Sequence, residues 1–500
     1  MKLSIKGLAD PTPLMLQLHE GLNQHAVLSG RLVVHGARRR LGELAGTEVC
    51  CTQSSLHGLK HSGVVFRGRL HSVELSGNEV RFIALGESGE RDRAIRTRMF
   101  GEPQPTELRR LPGIESLLKH VEGTSLLRQR ASCFYQFAAT DYSALLHLAA
   151  LSGTYIVSNG VGPVTIANKP NTSARVIHSK DILPSSDRLT FARSVEAATV
   201  LSFNPDRDEA PSQGATVGSA SDLGHEVYPS AWGMEIPDAQ RARRLQLVED
   251  SKKVRWSATL TPLLSDITAG DAVRLKTDVA GAPEQWLVHR RTLSFDPHTP
   301  ASEGQLTNYI ECGALDAPPV SAEPFVPGPV VLMVGRVANV VDAQRLGRVK
   351  IAFACHNRRG GPESWDGLWC PVARNVAGHN GNKTHGSLDL PREGDWVLAT
   401  VDPNGCEPPI VLTSCYRNKT PSIAQPKHER ILFSTPDGVA MLIRDAAADH
   451  PAAIEFKIGD HCSLTMDADG KVVWQTQTFD VSGKASIKGD TVVDGQFDVT

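Results

Sequence analysis

Apolar and polar positions alternate through much of the first hundred residues, with the period of two that marks strands burying one face. Segments 31–35 (RLVVH), 64–75 (VVFRGRLHSVEL) and 79–85 (EVRFIAL) are rich in β-branched residues and predict strands. Ser76, Gly77 and Asn78 lie between the last two and predict a hairpin turn. The adjacent Cys50 and Cys51 read as strand residues facing opposite ways. The period then lengthens. Segments 114–122 (IESLLKHVE) and 140–151 (TDYSALLHLAAL) predict helices. In the second, Tyr142, Leu145, Leu146 and Ala149 share a face, Thr140 or Asp141 can cap the start, and His147 reads as a structural histidine. Residues 203–232 are rich in Pro, Ser, Gly and Asp and read as a long loop. A helix is expected at 237–249, and strand character returns at 285–295 and 305–312.

The pattern changes twice more. Residues 316–329 (DAPPVSAEPFVPGP) form a proline-rich domain boundary. Strands are expected beyond it at 331–340, 346–354, 367–373, 395–402 and 409–416, which suits a small OB-type barrel. Its expected core is Val349, Ile351, Trp369, Val397, Ile410 and Leu412. From about 430 onward, Asp-Gly or Gly-Asp steps punctuate the chain at 437–438, 459–460, 469–470, 489–490 and 494–495. Gly483, Gly489 and Gly495 then recur every six residues, as do Val481, Ile487, Val493 and Val499. An even period returns the same strand face inward at every turn. So few turns cannot bury that strip within one chain, so the pattern implies more turns or partner chains. Three chains wound together would close a prism and remove every sheet edge. An ordinary β meander and a single-chain left-handed hexapeptide helix are the other readings.

Composition narrows the function classes. Of 500 residues, 40% are hydrophobic and 22% charged, globular proportions that exclude wholesale disorder. The length predicts about three or four domains. A formal net charge of −2 argues against a nucleic-acid partner. The basic clusters Arg38-Arg39-Arg40 and Arg241/Arg243/Arg244 read as solvated surface. No run reaches about 18 apolar residues, so no stable membrane insertion is expected. The start, MKLSIKGLADPTP, lacks the apolar stretch of a secretory signal peptide. Nine cysteines without a CxxC pair fit folding in reducing cytosol and disfavour zinc ribbons.

The catalytic motifs searched for are not found: no HExxH, GxxxxGK[ST], GxSxG or helix-opening GxGxxG occurs. His356, His379 and His385 share a segment but lack Cys or Asp at metal spacing, and Glu363 and Asp366 read as solvated loop carboxylates. No catalytic, cofactor or metal residue is assigned, and no enzyme activity is expected. Trp365, Trp369 and Trp396 could line a sugar-binding groove but read more simply as packing residues.

At 346–416 the segments LGRVKIAF, DGLWCPVARNVAG, LDLPREGDWVLATV and CEPPIVLTSCYRN resemble, in order and spacing, the OB-fold domain of VgrG proteins. These are the spike proteins of type VI secretion, related to contractile phage tail hub and spike proteins. HSGVVFRGRLHSVEL (61–75), TRMFGEPQPTELRRL (97–111), FYQFAATDYSALLHLAALSGTYIV (134–157), GDAVRL (270–275), LVHRRTLSF (287–295) and TNYIECGAL (307–315) are similar to its hub segments. Two motifs depart from the family form: Ala149-Ala150-Leu151-Ser152-Gly153 replaces an acidic pair, and Pro403-Asn404-Gly405-Cys406 replaces Gly-Asp-Pro-Asp.

The resemblance implies a mainly β fold with some α: barrel-like hub domains over 1–320, an OB-fold domain over 331–420 and a trimeric triangular β-helix needle over 430–500. It implies a homotrimeric spike that pierces a target envelope and carries tip or effector proteins. Its implied partners are a hexameric tube protein, a PAAR-type tip protein and baseplate proteins. The needle core would be Val481, Ile487, Val493 and Val499, with the tip contact at Phe497, Val499 and Thr500. The chain would be assembled in the cytoplasm and exported by contraction. A spike of an extracellular particle or phage-like tail shares this architecture. A cell-wall hydrolase spike is the enzymatic rival, and lacks a visible nucleophile or paired-carboxylate site.

Overall fold

The computed structural model describes residues 1–8, 11–33, 41–53, 63–192, 197–201, 216–217, 225–229, 238–275, 282–300, 305–315, 331–353, 367–374, 377–380, 383–386, 390–401, 408–415, 429–435, 438–446, 451–478, 486 and 488. They fall into two units, 1–415 and 416–500.

The first unit is built around a sheet of twelve strands. Six come from the first 85 residues: Lys2–Ile5, Thr12–Gly21, Val27–Val33, Glu48–Gln53, Gly63–Ser76 and Glu79–Leu85. Six come from later: Arg175–Ile177, Arg188–Phe191, Val254–Leu260, Ala272–Leu275, Gln285–Phe295 and Leu306–Ala314. The halves join where Thr12–Gly21 pairs antiparallel with Gln285–Phe295. Each half encloses its own core. Leu16, Leu28, Phe66 and Phe82 fill the first; Trp256, Trp286, Val288 and Ile310 fill the second.

Local chemistry accounts for much of this sheet. Gly77 and Asn78 are the two loop residues of the hairpin after Ser76, and Gly77 takes a left-handed φ of 65°. Cys51 is buried and Cys50 half-buried on the opposite face. The helix expected at 114–122 is shorter, Glu115–Leu118. His120 turns left-handed at φ 56°, and Val121–Glu122 leaves to pair in parallel with Val164–Ala167. Asp141–Leu151 is a helix, capped by the Thr140 hydroxyl accepting from the Ser143 N–H at 3.2 Å. It is buried on more than one face, because Ala144, Leu148 and Leu151 join Tyr142, Leu145 and Ala149 in the core. The His147 ring lies 5.2 Å from that of Phe134. Asp238–Lys253 extends past the expected 237–249 and sets Ala242 and Leu245 against Ala198. Inside the expected loop 203–232, His225–Pro229 is a strand parallel to Ala197–Leu201.

Residues 331–415 contribute five strands: Val331–Asn339, Arg348–Phe353, Leu368–Pro371, Trp396–Val401 and Ile410–Cys415. In space the third lies beside the second, then the first, fourth and fifth. A parallel bridge from Val372 to Val411 brings the two edges together. Val349, Ile351 and Val397 are buried as expected. Trp369, Ile410 and Leu412 are not core residues: Leu412 is 44% exposed and the other two are half-buried. Their neighbours Leu368, Cys370 and Val411 point inward instead. In a strand a one-residue change of phase exchanges the faces, and these two strands were assigned the wrong phase. Trp369 is covered on the outer face by Arg348 and Lys350, each 5.9 Å from its ring centre. Between the third and fourth strands, Ala377–Asn380 pairs with Lys383–Gly386, placing His379 opposite Thr384 and His385 opposite Gly378.

The second unit is an antiparallel meander: Glu429–Ser434, Val439–Arg444, Ala453–Ile458, Cys462–Asp467 and Val472–Gln475, paired in chain order. Gly438, Gly459 and Gly470, from three of the Asp-Gly or Gly-Asp steps, carry left-handed φ angles near its turns. The repeat positions Val481, Ile487, Val493 and Val499 and the tip positions Phe497 and Thr500 lie outside the described residues.

Candidate functional site

The meander gathers most of its large apolar side chains on one face. Its register puts Val439 beside Ile458, and Ile458 beside Cys462. The next row is Met441, Phe456, Leu464 and Trp474. The row after it is Ile443, Ile454, Met466 and Val472. Alternation puts all three rows on one face. The other face is mixed: Lys457, Ser463, Gln475, Glu455, Thr465 and Asp467 share it with Ala440, Leu442, Ala453 and Val473, and Arg444 is held to Glu455 at 3.1 Å.

The apolar face is open. Ile458, Val472 and Trp474 are 57%, 56% and 59% exposed. Val439, Phe456, Ile458, Leu464 and Trp474 line a concavity of about 490 Å³. Among the residues of this unit whose side chains are described, only Ala453 is buried. A sheet needs a second layer to hide such a face, and this unit supplies none among those residues. Fully covering one large apolar side chain yields about 1.5–3 kcal/mol, so a face this wide is a strong association surface.

The first unit holds a different feature at the seam between its halves. Arg291 and Glu20 have side chains only 3% and 1% exposed, and Arg291 Nη1 donates to Glu20 Oε2 at 2.8 Å. Arg291 Nη2 donates to the Ser265 carbonyl at 2.6 Å, and its Nε donates to Asn308 Oδ1 at 3.3 Å. The second oxygen of Glu20 accepts from the Gly160 N–H at 2.8 Å. Asn308 Nδ2 donates to the Leu264 and Ile267 carbonyls, and Gln53 Nε2 donates to Ser265 Oγ. Both buried charges are therefore paired and hydrogen-bonded, as burial requires. His289 sits at a bulge in the same strand. Burial, with Arg255 and Arg290 nearby, pushes its imidazole down to about 3. It is therefore neutral at ordinary pH.

The chemistry of the remaining expected positions is plain. Among the described residues no group of three or more His, Cys, Asp or Glu side chains could hold a metal. His356, Trp365, Glu363 and Asp366 lie outside those residues. No described helix is long and apolar enough to cross a membrane. Sequence reasoning overlooked two features: the apolar face of 439–474 and the Glu20–Arg291 network. Alternation within MLIR, AIEFKI and CSLTM signalled the first.

No protein-family model matches the chain, and no curated protein matches it. Solved structures do. The half-lidded PdpA–VgrG complex of Francisella matches with a TM-score of 0.60 at 9% identity, over 94% of this chain and 84% of that one. The E. coli protein c3393 matches with a TM-score of 0.51 at 12% identity, over 82% of this chain and 99% of that one. It is described as a type VI secretion component similar to the T4 bacteriophage tail proteins gp27 and gp5. The likeness lies in the fold, mainly β with few helices, shared with VgrG-type hub-spike proteins.

Proposed function

We propose that this VgrG-type fold serves as the hub and spike of a contractile injection apparatus, working as a homotrimer. The observation that carries the reading is the open apolar face of 439–474, in a chain whose fold follows hub-spike proteins over most of its length. Two further copies would supply the missing layer, and three such sheets would close into a prism without edges. The even repeat that follows would continue the prism, with Val481, Ile487, Val493 and Val499 inward.

Each part then has a mechanical task. The two sheet halves of residues 1–320 would give six barrel-like units around a threefold axis, the symmetry match for a hexameric tube ring. Residues 331–420, read as an OB-type barrel, would form a collar, and 430–500 the needle. A PAAR-type tip protein would seat on Phe497, Val499 and Thr500. Baseplate proteins would hold the hub, and effectors would travel on the tip. The task requires stiffness rather than bond-making, so no residue is assigned a catalytic role. Assembly would take place in the cytoplasm, and export would follow contraction.

Light scattering on the full chain tests this. Three copies of a 54.0 kDa chain give about 162 kDa. The trimer is expected to fall to monomer in Phe456→Asp/Trp474→Asp and in Ile487→Asp/Val493→Asp. A stable wild-type monomer, indifferent to both pairs, would overturn the reading.

A further inference from the structure

The paired strands Ile95–Glu107 and Arg130–Thr140 form a middle layer whose central stretch, Met99–Gly101 against Cys133–Gln136, is buried. Phe100 and Phe134 point to one side, into the core of Leu111, Leu145 and Leu148 around the helix Asp141–Leu151. Met99, Cys133 and Tyr135 point to the other. There they complete the core of the five-stranded sheet, with Val349, Ile351, Leu368 and Cys370. The approach is close. A Cβ on Gly101 would sit 2.2 Å from Leu368 Cδ2 and 3.3 Å from Cys133 Sγ. A side chain there would have to displace the buried Leu368.

We propose that this layer is a rigid coupling that fixes the five-stranded sheet to the hub, so that load passes through packed side chains and bypasses residues 316–330. The coupling does not depend on the spike role. Packed interiors are dense and transmit strain, whereas a proline-rich connection alone would let the two parts pivot. The two thiols of the joint report on it. Cys133 and Cys370 are wholly buried, and burial followed by the neighbouring Cys133 raises the Cys370 thiol well above its ordinary range. Both are unreactive while the joint is closed. Unfolding in urea supplies the fully reactive reference for both thiols.

The experiment places a protease site within 316–330 of the full chain and cleaves it in native buffer. The two fragments are expected to remain together on gel filtration, with Cys133 and Cys370 spared by iodoacetamide until urea unfolds the chain. Gly101→Leu should release the fragments and expose both thiols together. Leu368→Ala, which adds no bulk, should speed alkylation of both by about tenfold or more through lost packing. Fragments that part in the cleaved wild type would overturn the coupling. So would thiols that stay protected in both variants.

Discussion

Replacing Arg291 with Met tests how far the two halves of the first unit's large sheet depend on one buried ion pair. The substitution keeps most of the side-chain volume and removes three donated hydrogen bonds, at 2.8, 2.6 and 3.3 Å. It leaves the Glu20 carboxylate buried, with the Gly160 N–H at 2.8 Å as its remaining partner on this network. Removing one member of a buried pair costs about 3–5 kcal/mol, because the surviving charge is stranded. Glu20→Gln alone should cost a similar amount by stranding the guanidinium. The double variant should cost much less than the sum, a coupling of at least about 2 kcal/mol. Urea unfolding followed by tryptophan fluorescence reads this, since Trp256 and Trp286 are fully buried in the adjoining core. An Arg291→Met loss below about 1 kcal/mol, or purely additive single variants, would refute the reasoning.

Three other outcomes follow from the structure. His289 is held near 3 by burial and by Arg255 and Arg290, against an ordinary value of about 6.5. Its lowered value means the unfolded chain binds the extra proton between those limits. Stability is then whole above about pH 7 and drops by roughly 2 kcal/mol at pH 5, a slope that His289→Gln should remove from pH-dependent urea midpoints. Asp342 accepts from the Gln344 and Leu346 N–H groups and from Arg348, and the Arg348 hydrogen bonds hold it down at about 2. Asp342→Asn should speed hydrogen exchange at Gln344 and Leu346 by about tenfold while leaving the sheet core protected. Phe456→Ala should weaken subunit association by about 1–3 kcal/mol per copy, seen as dissociation at higher protein concentration on dilution.

The strands that alternate cleanly were legible from the sequence, as were the Gly77-Asn78 turn and the Thr140 cap. What escaped was decided by distance or by phase. Glu20 and Arg291 stand 271 positions apart, and no local pattern links them. Trp369 and Leu412 are large and apolar, yet their strands are set by Leu368 and Val411, and Arg348 and Lys350 cover Trp369 from outside. The short helix at Glu115 ends at Lys119, whose ψ of 130° is extended, and His120 then turns left-handed, neither of which composition announces. The runs Met99-Phe100 and Cys133-Phe134-Tyr135 mark strands buried on two faces, but not which layers bury them. The apolar face of 439–474 was visible as alternation, which says that a cover exists and not which chain provides it.

The two units differ in what each can finish alone. The first contains its own cores, whereas the described part of the second contains none. Synthesis runs from the N-terminus, so the first can fold while the second is still being made. In the proposed trimer the second would wait for encounter, so its completion would depend on concentration as well as on the chain itself. A cell making few copies would then accumulate chains with a finished first unit and an unfinished second one, and the unfinished unit would be the substrate for its proteases. Supply of the protein, as much as its sequence, would therefore set how many complete assemblies exist.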